Sequence, residues 1–592
     1  MGKAVSSILF ITVTACTLHV MSLDTTSGYS IHFYATLGKL FWVAVIGVYL
    51  GSVTIILTIS NKWRGSYSFG LLAAGMVTAL ITLLPLILDY FAFGRADAMT
   101  HVGLIRDILK TGEISASNKY PSMHLLGTIL VSIFNIRIYT LTLFIPGLVF
   151  LYYTFSMITL LNLHHGPTPA RIFVGLLLLV PMFRNQQMLF SPWSFGFMLI
   201  GFQLLVFSVT DGFVRKGGRW MALSMGAMFT GFFHPLGYIV MLLIFAAATF
   251  DQKIIRNRGI ERTLSSRPIT NNINYHYIIL LVGFILYLLW YSNYGQAIVD
   301  AGLWALVEVG VLSNIGLESS STLNDYTSVL SRTTPSIIDI IQTLITRYGQ
   351  YLFLFTIAGV GWLLLLFQRR DKAVRSYVGV FLVFTVLAIL GLVASGVTAY
   401  GYSRILLPLS TVSVIIIYGV IRYSNNNSLP AHLYRIALVT FIVIILLTST
   451  FNLYKSPIND GSNQQVTQSE LGSIEWFVNH RVPQQDIYQL GIWSKHYAHA
   501  IQGTQQTVWP EGLPPPHFNA TEDRPKSYLL ITEEGRETYP SIYPKYRQYW
   551  RYTPEDFKRL NVTPTTKRIY DNGNVRIYDR ESFNVNGSVV FK

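Results

Sequence analysis

The sequence GRADAMTHVGLIRDILKTGEISASNKYPSMHLL, residues 94–126, is a polar stretch that lies between long apolar runs. Asp97 and His101 are four residues apart, so in a helix they would occupy the same face. A Tyr-Pro pair at 120–121 comes shortly before a second histidine, His124. Ionisable residues next to bilayer-spanning segments are costly and usually functional, so this stretch is predicted to carry the functional site.

The composition is that of a multi-pass membrane protein. Of the 592 residues, 51% are hydrophobic and only 12% are charged, which is unusual for a soluble globular protein. The net charge is +15, yet the residues after 451 contain 16 Lys and Arg against 15 Asp and Glu, so the basic excess belongs to the apolar part. Basic cytoplasmic loops explain that excess better than nucleic-acid binding does. The single cysteine, Cys16, excludes an intramolecular disulfide and a Cys-rich metal site.

About thirteen apolar runs predict a polytopic α-helical membrane protein. The run within Met1–Leu23 is interpreted as the first transmembrane helix, because it lacks a clear signal-peptide cleavage site and another span follows. The other runs are 39–60, 69–91, 137–161, 170–184, 193–210, 219–233, 236–250, 276–292, 350–367, 375–398, 403–421 and 433–453. The pair on either side of His234-Pro235 could also be one kinked helix.

Charge in the short loops predicts the orientation. Thirteen alternating spans put four loops rich in Lys and Arg on the cytoplasmic side, namely 61–66, 211–219, 251–275 and 368–375. This count requires 122–134 to lie on the membrane surface rather than to cross the bilayer, and it is short for a span. The N-terminus is then cytoplasmic, and the polar stretch lies on the extracytoplasmic side.

Two domains are expected. Residues 1–453 form the transmembrane domain, with an outer catalytic loop at 92–136 that contains membrane-surface helices and a second long outer loop at 293–349. Residues 454–592 form a small extracytoplasmic mixed α/β domain. Its signals are a capping box at Thr467–Glu470 that opens a helix, a buried strand at 528–532, and a hairpin that turns at Asn572-Gly573.

The polar stretch has the residues needed for proton transfer. Residues 98–111 have the apolar spacing of an amphipathic surface helix, with Asp97 at its start. Asp97 is either only the helix N-cap or a general base that deprotonates an acceptor hydroxyl, with His101 and His124 orienting it or sharing the proton. The two histidines and Asp97 could instead hold a metal, but their spacing matches no specific metal motif.

Several basic residues could contact a phosphate. Arg404 begins the twelfth span on the outer side, where it either clamps a phosphate or snorkels to the interface. Arg184 has the same two interpretations, with the structural one favoured. His234 is interpreted first as a core histidine beside a kink. Asp89 is expected to pair with Arg95 as a structural contact.

The motifs resemble those of the C-type glycosyltransferase (GT-C) superfamily, integral membrane enzymes that use polyprenyl-phosphate-linked sugars. The likeness is to archaeal multi-pass proteins of that superfamily and covers most of the chain. It rests on Asp97-Ala-Met-Thr-His101, Tyr120-Pro-Ser-Met-His124, Ser191-Pro-Trp-Ser-Phe195, His234-Pro-Leu-Gly237, the segment 464–476 and Tyr570-Asp-Asn-Gly573.

The resemblance implies that Asp97 is the catalytic base and that Arg404 binds the lipid phosphate. From their positions near Asp97, His101 and His124 are interpreted as helpers rather than ligands. Tyr120, Arg184 and His234 are further candidate substrate-binding residues. The superfamily often has two adjacent acids in this loop, whereas this chain has Ala-Asp-Ala, which disfavours a two-carboxylate metal site. No Trp-Trp-Asp run is present, so transfer of a whole glycan to asparagine is disfavoured.

The sequence therefore predicts a glycosyltransferase that moves a sugar from a polyprenyl (dolichyl) phosphate to a surface glycan, a lipid-linked glycan or a glycoprotein. No cofactor is expected, a divalent metal is not favoured, and the partners are the lipid donor, the acceptor and the bilayer, with no nucleic acid. Two alternatives remain, a transporter or flippase of lipid-linked or small solutes and a non-catalytic assembly protein. Against transport, the polar residues gather at the outer surface and no internal repeat is found.

Overall fold

A computed structural model provides the structure of the chain. It describes residues 2–23, 28–58, 64–115, 118–163, 183–208, 230–234, 336–367, 403–423, 429–504, 511–518 and 526–580, with the short pieces 175, 177–180, 226, 237–238, 241, 285 and 385. The predicted runs at 170–184, 219–233, 236–250, 276–292 and 375–398 lie wholly or largely outside these residues. Residues 293–335 of the predicted second outer loop also lie outside them.

The first part of the chain is helical. Its helices are α1 (Gly2–Met21), α2 (Phe33–Thr36), α3 (Gly38–Thr58), α4 (Arg64–Thr82), α5 (Leu84–Ile87), α6 (Asp97–Thr111), α7 (Pro121–Phe134), α8 (Leu141–Leu163), α9 (Pro192–Ser208), α10 (Ile337–Phe367), α11 (Ser403–Tyr423) and α12 (Leu429–Thr450). Eight of these coincide with predicted apolar runs: α1, α3, α4, α8, α9, α10, α11 and α12.

Two boundaries differ from the prediction. The run 69–91 is not one helix, because α4 ends at Thr82 and the short α5 contains Pro85, which has no N–H for the helical ladder. Helix α10 begins at Ile337, inside the stretch predicted as the outer loop 293–349. Ser336 starts this helix, since its hydroxyl accepts a 3.1 Å hydrogen bond from the Asp339 N–H. The predicted apolar run, 350–367, therefore missed the first part of α10, residues 337–349, which follows the Ser336 cap.

The number of spans is not confirmed. By length and apolar composition, two segments of the described helices could cross a bilayer, Gly38–Ile55 and Ile138–Leu161. The other apolar helices found in the described part of the chain are shorter, and they include Pro121–Phe134 and Pro192–Val206.

The helical core continues to Tyr454, just beyond α12. The Tyr454 ring is fully buried and stacks on Phe33 with ring centroids 3.8 Å apart. Its hydroxyl donates a 2.5 Å hydrogen bond to the Ile81 carbonyl at the end of α4. This tyrosine fixes the point at which the chain leaves the helices and enters the C-terminal part.

The C-terminal part is a five-stranded sheet covered by helices on both faces. The strands β3 (Asp486–Leu490), β4 (Glu511–Gly512), β5 (Ser527–Thr532), β6 (Thr566–Asp571) and β7 (Val575–Arg580) follow two-residue strands β1 (Ala92–Phe93) and β2 (Gln465–Val466). The sheet order is β4-β3-β5-β7-β6, with β3 parallel to β4 and β5 and the other pairs antiparallel. The helices are α13 (Gln468–His480), α14 (Ser494–Gln502), α15 (Glu533–Ile542) and α16 (Pro554–Leu560).

The local predictions for this part are confirmed. Thr467 and Glu470 form both hydrogen bonds of the capping box at the start of α13. All six residues of β5 are buried. Tyr528 and Leu530 belong to one hydrophobic core, and Leu529 and Ile531 belong to another, so both faces of the strand are covered. The β6–β7 hairpin turns at Gly573, which has a φ of +87°, a conformation that suits glycine.

The polar stretch connects the two parts. Strand β1, just before it, pairs antiparallel with β2, just before α13. Helix α6 then packs between α7 and α14, with Met99, Val102 and Ile105 in the same core as Ala498 of α14. The apolar side of α6 is therefore covered by protein, although its spacing also suits a membrane surface.

Candidate active site

Gly94 sets the entry into α6. Its φ is +101°, and a Cβ there would lie 2.6 Å from the Ala98 Cβ, so both the backbone and the space require glycine. Its N–H donates to the Gln464 carbonyl at 2.8 Å, which extends the β1–β2 pairing by one hydrogen bond. The next residue, Arg95, is thereby placed beside the C-terminal domain, which its side chain contacts.

Asp97 is the first residue of α6, and its side chain is exposed. The N-cap is Ala96 and has no side-chain capping bond, so the interpretation of Asp97 as the helix N-cap is wrong. Within the described part of the chain, the Asp97 carboxylate makes no hydrogen bond and no ion pair. Its oxygens are therefore available to a ligand.

His101 lies one turn after Asp97 and starts a buried chain of hydrogen bonds. His101 Nδ1 and His124 Nε2 are 3.0 Å apart, and His124 Nδ1 is 2.7 Å from Asn118 Oδ1. Because the amide oxygen only accepts, His124 donates from Nδ1 and accepts at Nε2. His101 then donates from Nδ1 and retains the lone pair on Nε2.

Burial keeps both histidines neutral. Desolvation lowers the pKa of His101 to about 4, against the opposing effect of the Asp97 carboxylate. Desolvation also lowers the pKa of His124 well below its usual range, and His101 lowers it further. At neutral pH His101 is thus a hydrogen-bonded imidazole with a free lone pair, within electrostatic range of Asp97.

Aromatic rings form a wall beside this pair of histidines. The Tyr120 ring stacks on His234, with centroids 5.2 Å apart and an interplanar angle of 13°. His234 meets Trp193 edge-on at 5.2 Å, and Tyr120 lies 6.4 Å from His101. The structure therefore brings Tyr120 and His234 to the same site as His101 and His124.

Helix α14 adds two histidines that the sequence interpretation missed. Thr100 Oγ1 is 2.6 Å from His496 Nδ1 and 3.1 Å from His499 Nδ1. The close approach of the helices requires Gly103, where a Cβ would lie 2.5 Å from the His499 carbonyl oxygen. Desolvation, together with the neighbouring His496 and Lys495, lowers the pKa of His499 to about 4. The i, i+3 spacing of these histidines was the only local signal.

The described residues contain no group of three or more His, Cys, Asp or Glu side chains placed to hold a metal ion. Asp97 is near His101, and His101 is hydrogen-bonded to His124, but these three side chains are not among groups placed to bind one metal ion together. The arrangement matches proton transfer and hydrogen bonding, which neutral imidazoles and a free carboxylate perform directly.

Arg95 joins the segment just before α6 to the C-terminal domain. Its guanidinium binds Glu470 in a bidentate manner at 2.6 and 3.0 Å, and its Nε is 2.5 Å from Glu534. It also donates to the carbonyls of Gln465 and Gly491 at 2.7 and 2.8 Å. The predicted pair with Asp89 is wrong: Asp89 is exposed on a left-handed turn with a φ of 55°, while Arg95 faces the other domain.

Of the two arginines predicted to bind phosphate, the structure describes the side chain of Arg184 only. Arg184 has a φ of 56° and lies over the Tyr348 ring at 5.0 Å. Its Nε is buried without a hydrogen-bond partner in the described part of the chain. Arg404 is the second residue of α11, and its side chain lies outside the described residues.

A cavity of about 510 Å³ opens between the segment just before α6 and the C-terminal domain. Its wall includes Arg95 and Ala96, the residues just before Asp97, as well as Gln489 and Trp493. Lys455, from the segment after α12, also lines it. The cavity thus extends from the start of α6, where Asp97 is exposed.

Comparisons with known proteins give a limited result. No protein-family model matches the chain, and no curated protein matches it. The structure resembles AglB, the oligosaccharyltransferase of Archaeoglobus fulgidus, in complex with an inhibitory peptide and a dolichol-phosphate. The TM-score is 0.45 and the identity 12%, over 81% of this chain and 71% of that chain.

It also resembles ArnT from Cupriavidus metallidurans bound to undecaprenyl phosphate. Here the TM-score is 0.42 and the identity 10%, over 87% of this chain and 98% of that chain. Both neighbours are C-type glycosyltransferases, the superfamily that the sequence resembles. At these identities and TM-scores the likeness assigns neither an activity nor residue roles to this chain.

Proposed function

We propose that the protein is a membrane glycosyltransferase that transfers a sugar from a polyprenyl-phosphate donor to a glycan, lipid-linked glycan or glycoprotein on the extracytoplasmic face. One observation carries the proposal. Asp97 presents an exposed carboxylate with no hydrogen bond or ion pair among the described residues, one helical turn from a neutral, buried histidine pair. A general base must be accessible to the hydroxyl that it deprotonates, and neighbouring groups must hold the reactants in place.

In the proposed reaction, the Asp97 carboxylate takes the proton of an acceptor hydroxyl. The hydroxyl oxygen attacks the anomeric carbon of the donor sugar, and the bond from that carbon to the phosphate oxygen breaks. The electron pair of that bond leaves with the polyprenyl phosphate. His101 borders Asp97 and keeps a lone pair on Nε2, so it can accept a hydrogen bond from the acceptor.

Arginines would stabilise the departing phosphate. Arg184 supports this role because its buried Nε lacks a hydrogen-bond partner within the described part of the chain, and no carboxylate pairs with it there. Arg404 remains a second proposed phosphate ligand, on the resemblance of the sequence alone. Tyr120 and His234 would form an aromatic surface for the substrate beside the two histidines.

Exposed apolar side chains support a membrane location. On α7, Leu125, Ile129 and Ile133 are 37%, 51% and 69% exposed and recur every four residues, while Met123 and His124 are buried. A helix with one free apolar face and one packed face is suited to the membrane surface. We propose that 92–136 is the outer catalytic loop and that 454–592 lies outside the membrane.

The test uses the purified protein with a panel of hexoses linked to dolichyl phosphate or undecaprenyl phosphate, and a membrane glycolipid and glycoprotein extract as acceptor. Release of polyprenyl phosphate and incorporation of labelled sugar are measured for the natural protein, Asp97→Asn and the control Asp89→Asn. Transfer that is lost only in Asp97→Asn supports the enzyme.

Movement of the lipid-linked sugar across the membrane of vesicles that contain the protein, without sugar transfer from any donor, would indicate a transporter instead. Equal transfer by the natural protein and Asp97→Asn would rule out Asp97 as the base. Unchanged surface glycans in cells that contain intact Asp97→Asn protein in place of the natural one would contradict the whole proposal.

A further inference from the structure

The cavity beside Asp97 lies at the carboxyl end of a parallel strand pair. Strands β3 and β4 run parallel, and the chain after β3 contributes Gly491, Ile492 and Trp493 to the cavity wall. In sheets with parallel strands, ligands commonly bind beyond the carboxyl ends of the strands. A volume of about 510 Å³ is also within the range of about 300–1,000 Å³ that is typical of small-molecule sites.

An exposed aromatic ring lies at the rim of this cavity. Trp493 is the N-cap residue of α14, and 54% of it is exposed. Within the described residues its indole N–H has no hydrogen-bond partner. An amphipathic ring that is large, rigid and uncovered is suited to the apolar face of a sugar ring, with the N–H left for a hydroxyl.

Polar groups of the wall are also unsatisfied. Gln489 is 4% exposed, and its Oε1 accepts a 2.7 Å hydrogen bond from the Ser494 N–H. Its Nε2 makes no hydrogen bond among the described residues. Gln464 donates from Nε2 to the Ser462 carbonyl, which leaves its Oε1 as an acceptor. The wall therefore offers a buried amide donor and an amide acceptor to a ligand.

Lys455 is the unpaired charge of the cavity. It makes no hydrogen bond and no ion pair among the described residues. Its nearest carboxylate influence is Glu534, which is already bound by Arg95 and by the Ser462 hydroxyl. Burial, together with the nearby Arg184 and Arg347, lowers the pKa of Lys455. An anionic ligand would relieve this electrostatic penalty.

We propose that this cavity binds an acidic sugar residue of the acceptor, with the ring on Trp493, its carboxylate or phosphate on Lys455, and its hydroxyls on Gln489 and Gln464. The inference rests on the proposed function, since it names the class of acceptor that reaches Asp97. The occupant is a sugar rather than the donor phosphate because an aromatic ring and two amides line the same cavity as the lysine.

The test measures binding to the purified full-length protein by saturation-transfer NMR, with methyl β-glucuronide as the acidic probe and methyl β-glucoside as the neutral one. Binding is independent of the reaction, so Asp97→Asn should bind both probes as the natural protein does. The controls are Trp476→Ala, which alters a partly buried tryptophan packed on Tyr570, and Lys526→Gln, which alters an exposed lysine paired with Asp579. Neither residue lines the cavity.

The natural protein is expected to bind the glucuronide about tenfold more tightly than the glucoside, as a charge-assisted hydrogen bond provides. Lys455→Gln should remove this preference and leave glucoside binding unchanged. Trp493→Ala should weaken both probes about tenfold, with partial recovery in Trp493→Phe. The two controls should behave as the natural protein does.

Three results would overturn the inference: no binding of either probe, equal binding of the acidic and neutral probes, or an unchanged preference in Lys455→Gln. Competition by farnesyl phosphate that Lys455→Gln abolishes would mean that the cavity holds the donor phosphate instead. Retained glucuronide binding in a protein that transfers no sugar from any donor would refute the proposed function and leave this inference intact.

Discussion

Arg95 and Asp97 are two residues apart, and their charges have opposite fates. The Arg95 guanidinium is buried and binds two carboxylates and two carbonyls of the C-terminal domain. The Asp97 carboxylate is exposed and has no partner among the described residues. One charge is paired within the fold, and the other is exposed to solvent.

This difference distinguishes a charged residue that stabilises the fold, Arg95, from one that does not, Asp97, although only one residue lies between them. A buried charge is tolerated only when it is paired and hydrogen-bonded, so the partners of Arg95 explain why the fold retains it. No such explanation covers Asp97, since it neither caps α6 nor joins the domains. The comparison predicts that changes at Arg95 act on stability and that changes at Asp97 act on activity.

Loss of the guanidinium should produce the largest effect. Arg95→Met leaves Glu470 and Glu534 buried without their cation, so the free energy of unfolding should fall by about 3–5 kcal/mol. Chemical unfolding in detergent and limited proteolysis of the C-terminal domain would measure it. The control Arg568→Met removes an exposed pair with Asp571 and should change stability by less than about 1 kcal/mol. Equal losses in the two variants would contradict the comparison.

Asp97→Asn should give the next largest effect, on rate alone. Removal of a general base typically lowers the rate about 10²–10⁴-fold, whereas a surface substitution usually changes stability by no more than about 0.5 kcal/mol. Sugar transfer and the unfolding midpoint are measured on the same preparation. Asp89→Asn is the matched control, because Asp89 is also exposed and its left-handed backbone accepts asparagine well. Loss of stability in Asp97→Asn would give this carboxylate a structural role.

The stability contributions of three buried histidines and of Glu534 should depend on pH in opposite directions. Burial lowers the pKa of His101, His124 and His499, so below about pH 6.5 the unfolded chain binds more protons than the native one. Their contribution to stability should therefore be lost as the pH falls from about 6.5 to about 4. Burial raises the pKa of Glu534, so its contribution is present at low pH and is lost as the pH rises through the native pKa.

Unfolding midpoints between pH 4 and 7.5 measure the sum of these effects. His499→Gln should reduce the pH dependence by about one proton, and Glu534→Gln should make the loss at low pH steeper. The midpoint of the natural protein should be nearly constant above pH 7. An unchanged slope in His499→Gln would mean that this histidine titrates normally in the native state.

Disruption of the histidine chain should have a smaller effect. Asn118→Ala removes the acceptor that fixes the His124 tautomer, and through it the lone pair on His101 Nε2. The rate should fall about tenfold, as expected for a lost orienting contact worth about 1.4 kcal/mol. The pH profile should change with it, since an unfixed tautomer alters proton transfer. Asn118→Asp should restore the acceptor and much of the rate, whereas a purely structural defect would not be rescued.

The sequence revealed local features better than the partners across domains. The capping box at Thr467, the buried strand β5 and the hairpin at Gly573 follow from short-range propensities and turn chemistry, and all three are confirmed. The spacing of Asp97 and His101 likewise needed only helical geometry. The sequence motifs that contain Tyr120 and His234 did not predict a contact between them, yet the two rings stack in the structure.

What the sequence could not reveal depends on docking. His496 reaches Thr100 from 396 residues away, and Glu470 reaches Arg95 from 375 residues away. Local periodicity has no information about such contacts, so proximity in sequence favours Asp89 as the partner of Arg95, and that prediction is wrong. For the same reason, the apolar spacing of α6 could not distinguish a membrane surface from the α14 surface that covers it.

The smallest expected effect separates the two roles of Glu470. This carboxylate binds Arg95 and also accepts from the Thr467 N–H at 3.0 Å, as part of the capping box. Thr467→Ala removes the γ-methyl and the hydroxyl that accepts from the Glu470 N–H and also bonds Ser469 Oγ. Stability should fall by about 1 kcal/mol. If the box instead holds Glu470 in place for Arg95, the loss should approach that of Arg95→Met. The double variant then decides, because independent contributions add and a shared one does not.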